Sequence, residues 1–242
     1  MTADEKTKAA RFIDLAADSL LSGYRSPARD YDFHDDTPVT AKNDAKPGGG
    51  LEQIAAEVKA CAACSLCGTR KNTVPGEGAP LPLVMIIGEG PGADEDATGR
   101  PFVGKAGQLL DKMLDSIGLS RNKNCFIANV IKCRPPNKRD PLPEETAACA
   151  HFLEQQIKTL RPKFILCVGR ISAQFLLKTT EPLGGLRGKF LELAAGDAAI
   201  PLLVTYHPSA LLRNEELKRP AWEDLKLLRA RLEDTATVNR EG

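Results

Sequence analysis

Leu83-Val84-Met85-Ile86-Ile87-Gly88-Glu89-Gly90-Pro91-Gly92 is an apolar run closed by a glycine-rich loop. The run has no polar face, so it reads as a strand buried on both sides. Similar runs occupy residues 126–131 and 164–168, with further strand candidates at 190–193 and 202–205. Helical patterns lie between and after them. Leu109, Leu110, Met113, Leu114 and Ile117 share one face, and residues 144–160, 171–177 and 222–232 repeat that spacing. Buried strands alternating with helices predict an α/β domain with a mainly parallel sheet and helices on both faces. Such folds bind ligands beyond the carboxyl ends of their strands. The unusual loops sit there, at residues 88–102, 132–143 and 207–214.

The 242-residue chain is long for one domain and short for two full-sized ones. Its 42% hydrophobic content supports a real core. Lys+Arg 33 against Asp+Glu 32 leaves a formal charge of +1, so any polyanion must be held by local clusters. No window approaches the ~18 apolar residues that read as a membrane span. The N-terminus carries Asp4, Glu5, Lys6 and Lys8 and lacks a signal peptide's apolar core. A reducing cytoplasm is therefore expected, where cysteines bind metals more often than they form disulfides. Ala9, Ile13, Ala16 and Leu20 predict an amphipathic helix, and the chain then runs polar to Lys46-Pro47-Gly48-Gly49-Gly50. Residues 1–50 thus read as a helix and flexible linker, 51–235 as the folded domain, and 236–242 as a disordered tail. A monomer is expected.

Seven cysteines include the pair Cys61-Ala62-Ala63-Cys64 and, far downstream, Cys133 and Cys149. An all-sulfur set with only one close pair favours an iron–sulfur cluster, with zinc or unrelated thiols as alternatives. Cys64-x-x-Cys67 is a rival pair on spacing alone. Cys167 and Cys125 fall in apolar runs and read as core residues.

The glycine loop matches neither G-x-G-x-x-G nor G-x-x-x-x-G-K-[ST], and Pro91 removes an amide that a phosphate would use. Asp94, Glu95 and Asp96 would repel phosphates, so no nucleotide cofactor is expected. Close backbone approach to a planar ligand suits the loop better. Phe102, set among glycines, Arg100 and Pro101, is a candidate stacking platform. Asn129 offers donor and acceptor together and matches a pyrimidine edge. His207, in Thr205-Tyr206-His207-Pro208-Ser209, sits at a strand end in a proline-fixed turn. His34 and His151 read as surface residues.

Together these segments resemble the family 4 uracil-DNA glycosylases, the iron–sulfur branch of their superfamily. The resemblance rests on five motifs: Cys61-Ala62-Ala63-Cys64-Ser65-Leu66, the loop from Gly88 to Asp96, Gly99-Arg100-Pro101-Phe102-Val103-Gly104-Lys105-Ala106-Gly107, Asn129-Val130-Ile131-Lys132-Cys133-Arg134-Pro135-Pro136 and His207-Pro208-Ser209-Ala210-Leu211-Leu212-Arg213-Asn214. It covers about residues 52 to 233. It implies a three-layer α/β/α domain with a central, mainly parallel four-stranded sheet. It also implies a [4Fe–4S] cluster on Cys61, Cys64, Cys133 and Cys149, leaving Cys67 spare. Uracil-containing DNA, single- or double-stranded, would be the substrate. Glu89 and Gly90 would line the base pocket, with a backbone amide of that loop on a uracil carbonyl. Glu95 would crowd C5 and reject thymine, Phe102 would stack, Asn129 would read the edge, and His207 would face the carbonyl that gains charge. Gly90 stands where better-known relatives carry a water-positioning aspartate, which makes Glu89 the candidate for that role. The stretch Gly185-Leu186-Arg187-Gly188-Lys189 lacks the insertion of relatives that trap uracil covalently, so turnover is expected.

The chemistry fits those types. Cleaving a glycosidic bond to uracil puts negative charge on the departing base, so the site needs aimed donors rather than a strong acid. Leu211 or Leu212 would fill the gap left by the extruded base, and Lys105, Lys132, Arg134 and Arg213 would grip phosphates, with Lys138 and Arg139 in support. A binder of uracil or damaged DNA without turnover, and an iron–sulfur electron carrier, are the competing readings.

Overall fold

The computed structural model describes residues 49–195 and 198–241. The expected N-terminal helix, the linker to residue 48 and His34 lie outside them. Strands β1 (Glu77–Gly78), β2 (Val84–Gly88), β3 (Cys125–Asn129), β4 (Phe164–Val168), β5 (Phe190–Ala195) and β6 (Ala198–Thr205) form one sheet, ordered β1-β3-β2-β4-β6-β5. The middle four are parallel, as their uninterrupted apolar runs require. Antiparallel β1 and β5 add an edge on each side, giving six strands instead of four. β1 is too short to leave a periodic signal. β5 alternates buried and exposed positions in its first half, consistent with an edge covered on one face.

Eight helices complete the described chain: α1 (Gly49–Ala60), α2 (Ala93–Thr98), α3 (Lys105–Asp115), α4 (Pro143–Leu160), α5 (Arg170–Leu177), α6 (Leu183–Leu186), α7 (Pro208–Arg213) and α8 (Lys218–Glu241). The backbone of α8 stays helical through Glu241, where a disordered tail was expected; no glycine or proline stops it earlier. No described helix is long and apolar enough to cross a membrane.

Alternation along β2 builds the two cores. Met85 and Ile87 face Ile54 and Val58 of α1, Leu153 and Ile157 of α4 and Leu176 of α5. Val84 and Ile86 face Leu110 and Leu114 of α3 and Trp222 and Leu225 of α8. All four strand residues have no exposed surface, and each contributes about 1.5–3 kcal/mol by burial. This is the three-layer arrangement.

Register then sets the site. Gly88 lies beside Asn129, and Val168 beside Thr205, so four strands end on one rim. The chain leaves β2 for β3 on one side and returns to β4 on the other. A crevice opens at such a reversal.

Candidate active site

An open pocket of about 1400 Å³, counting its mouth, lies beyond this rim. Glu89, Gly90 and Glu95 reach it from the loop and short helix after β2, Phe102 from the next loop, Asn129 from the end of β3 and His207 from beyond β6. These side chains converge. A Cβ placed on Gly88 would lie 2.5 Å from Asn129 Oδ1 and 2.6 Å from Phe102 Cζ. The rings of Phe102 and His207 are 5.6 Å apart, centre to centre.

Asn129 is 1% exposed, and its Oδ1 has no hydrogen-bond partner among the described residues. An unpaired buried oxygen costs about 1–3 kcal/mol. Folding tolerates that cost at a place where a ligand supplies the missing donor.

His207 caps the N-terminus of α7, with Pro208 as the first helical residue. The Ser209 backbone N–H donates to Nδ1 at 3.1 Å, so Nδ1 carries no proton and Nε2 must. Burial lowers the imidazole pKa to about 4, Arg213 adds to the effect and Glu95 opposes it. The helix end disfavours a cation as well. His207 is thus a neutral donor at physiological pH. An ordinary histidine would bring an inflection near 6.5 to the pH–rate profile. Here we expect none from His207 until pH approaches 4, measured by single-turnover rates from pH 4 to 8. Because the folded pKa lies below the unfolded one, His207 stabilises the fold above pH 6.5, and that contribution drains away as pH falls toward 4.

A second, shallow pocket is lined by all four of Cys61, Cys64, Cys133 and Cys149. The first two follow α1, the third follows β3 and the fourth lies in α4. Cys67 does not line it, which separates the two rival pairs. Arg70 Nη1 donates to Cys133 Sγ at 3.2 Å, and the Lys132 backbone N–H donates to Cys149 Sγ at 3.3 Å. Burial raises the pKa of both thiols, Cys149 to about 11, while Arg70 works against the rise at Cys133. Among the described residues no three cysteine, histidine or carboxylate side chains meet at single-ion geometry.

The model of the uracil DNA glycosylase superfamily matches residues 75–226. A type-4 uracil-DNA glycosylase of Pyrobaculum aerophilum is 45% identical over 181 residues, covering 73% of this chain and 92% of the relative. One from Thermotoga maritima is 44% identical over 179 residues, with 73% and 91% covered. One from Archaeoglobus fulgidus is 41% identical over 180 residues, with 73% and 90% covered. The chain belongs to the type-4 uracil-DNA glycosylase family.

Within this glycosylase fold, two expected DNA contacts are overturned. Lys132 is 1% exposed, and its Nζ donates to Asn129 O and Gln156 Oε1, each at 2.7 Å. It braces the end of β3 from inside and cannot reach a phosphate. Leu211 is fully buried against the α3 and α8 core, whereas Leu212 is 49% exposed. A helical face admits one of two successive leucines to the core, so Leu212 is the one left at the surface. Arg134, Lys138 and Arg213 line the pocket, and Lys105 is exposed at the start of α3. Arg139 lines it too, but its guanidinium is forked onto buried Glu145 at 2.6 and 2.8 Å. Glu145 also accepts from Ser65 Oγ and the Leu142 N–H, and lines the cysteine cavity. One carboxylate therefore ties the cysteine turn to the basic loop. Its signal in the sequence was only its place in the first turn of α4.

Gly90 packs so closely that a Cβ there would lie 2.7 Å from Ile131 Cγ1. An aspartate would fit only if the Ile131 side chain moved aside. Glu89 faces the pocket half-buried, its carboxyl pKa raised by burial and further by Asp140, with Arg170 opposing. Asp140 and Arg170, paired across the mouth at 2.5 Å, were not foreseen, because their partnership joins distant loops. Glu95 lines the pocket while its carboxylate accepts three backbone N–H bonds, from Gly92, Val103 and Gly104.

Proposed function

We infer that this protein flips uracil out of DNA and hydrolyses its N-glycosidic bond, leaving free uracil and an abasic site. The observation that carries this reading is the orphaned Oδ1 of Asn129, buried beside Phe102, whose ring centre lies 5.6 Å from that of His207. Uracil's N3–H supplies the donor that Oδ1 lacks, and the asparagine amide faces the neighbouring carbonyl. His207 Nε2–H points its proton at the carbonyl that gains charge as the N1–C1′ bond breaks and the electron pair leaves with the base. One such preorganised donor stabilises the transition state by roughly 2.7–4 kcal/mol. Phe102 stacks on the flipped base, which offsets part of the few kcal/mol spent on extrusion. Glu89 orients the water whose oxygen bonds to C1′. Glu95, held by three backbone donors, is a rigid wall that crowds the base at C5 and excludes thymine.

The pocket rim takes the DNA strand through Arg134, Lys138, Lys105 and Arg213, with Leu212 entering the gap. Single and double strands both suit an open mouth of this kind. The cysteine cavity would take a [4Fe–4S] cluster: an all-sulfur set of four cysteines from three segments, two of them met by N–H donors, suits an iron–sulfur group better than one zinc ion. The cluster supplies fastening there, joining α1, the loop after β3 and α4.

Purified protein should convert a uracil-containing oligonucleotide to free uracil and an abasic strand, and leave the matching thymine oligonucleotide intact. Tight retention of uracil DNA with no abasic product would instead select the non-catalytic binder.

A further inference from the structure

We propose that Arg121, outside the pocket, is the positioning residue for its aromatic wall, holding Phe102 in a backbone conformation that the ring's function requires. The proposal deepens the uracil-excision reading and rests on it. Phe102 has φ of 51°, in the left-handed region, and is 6% exposed. A bulky residue stays there only when its surroundings impose it.

The surroundings do so from two sides. Arg121 Nη1 donates to Pro101 O at 3.0 Å, and Nη2 donates to Phe102 O at 2.8 Å. The guanidinium is itself fixed by Glu77 of β1 at 2.8 Å and by Asp111 of α3 at 2.9 Å. On the opposite side Glu95 Oε1 accepts from Val103 N at 2.8 Å and Gly104 N at 3.0 Å. Residues 101 to 104 are therefore pinned one after another, two carbonyls by a cation and two amides by an anion. Gly107 closes the back, since a Cβ there would collide with the Phe102 carbonyl. The ring has one available position, beside Asn129 and His207.

Preorganisation is what this clamp supplies. A loop free to leave the left-handed region must be reordered each time a base enters, which weakens binding. Only a planar fork can hold two successive carbonyls while answering two carboxylates, so lysine is a poor substitute.

The test is a double-mutant cycle between R121M and F102L, read as kcat/KM for uracil release and as inhibition by free uracil. Wild-type release in the same assay checks the excision reading separately. R121M should raise KM and weaken uracil inhibition about tenfold, more than it lowers kcat. In the F102L background the same change should cost less than about twofold, because the ring that Arg121 positions is gone. R121K should recover only part of the loss. Equal factors in both backgrounds would assign Arg121 a merely structural role and overturn the proposal. Amide hydrogen exchange at Val103 and Gly104, which needs no substrate, should quicken in R121M. Unchanged exchange would overturn the clamp even if the wild type released no uracil. Should R121M fail to fold, R121K carries the same comparisons.

Discussion

Asn129→Leu is expected to lower kcat/KM for uracil release about 10³-fold while leaving the thermal midpoint unchanged or higher. Uracil would enter a pocket where its N3–H and one carbonyl find no partner. Two unpaired buried polar groups at about 1–3 kcal/mol each give roughly 4 kcal/mol, or three powers of ten. The free protein meets the opposite balance. Asn129 is 1% exposed with Oδ1 unsatisfied, so leucine, branched at the same carbon, removes a buried polar atom that had no partner, and its extra bulk can extend into the adjoining pocket. Most mutations that disable a site also weaken the fold; this one separates the two effects. Kinetics beside a melting curve will show it. Activity within tenfold of wild type would remove Asn129 from the reaction, and a large fall in melting temperature would mean that Oδ1 is bonded after all.

Cys149→Ser should have the next largest effect and reach stability and activity together. Iron content and visible absorption are expected to fall. The midpoint should drop by roughly 10 °C or more, since metal binding and folding are coupled in such sites. Uracil release should fall too. The Lys132 N–H that bonds Cys149 Sγ belongs to the residue whose Nζ holds the Asn129 carbonyl, so damage at the cysteine cavity travels directly to the base pocket. Cys67→Ser is the control, because Cys67 does not line the cavity. A Cys149→Ser protein with full iron and wild-type release would show that Cys149 is no ligand.

Much of this molecule is legible without coordinates. Strands buried on both faces must be apolar throughout, so β2 and β4 announce themselves, and the helices between them show their faces by spacing. Loops at strand ends hold residues that packing alone would not choose, which is how Glu89, Phe102, Asn129 and His207 stand out. The errors have a common source. Lys132 reads as a phosphate contact because a charge near a strand end is ordinarily solvated. Burial became possible only because Gln156, on a separate helix, presents an acceptor to it. Leu211 and Leu212 cannot be ranked until α7 is docked. Arg121 carries no signal of its own, since its partners lie on three distant segments, and the tie from Glu145 to Ser65 spans eighty residues.

Local pattern therefore determined the layers, the parallel centre and the identities of the groups that line the pocket, because periodicity and turn chemistry act over a few residues. Tertiary structure alone decided which charges are buried braces and which stay at the surface, and which of the two leucines is exposed. Those choices depend on what another segment offers within about 3 Å, the reach of a hydrogen bond, and sequence spacing does not encode that distance.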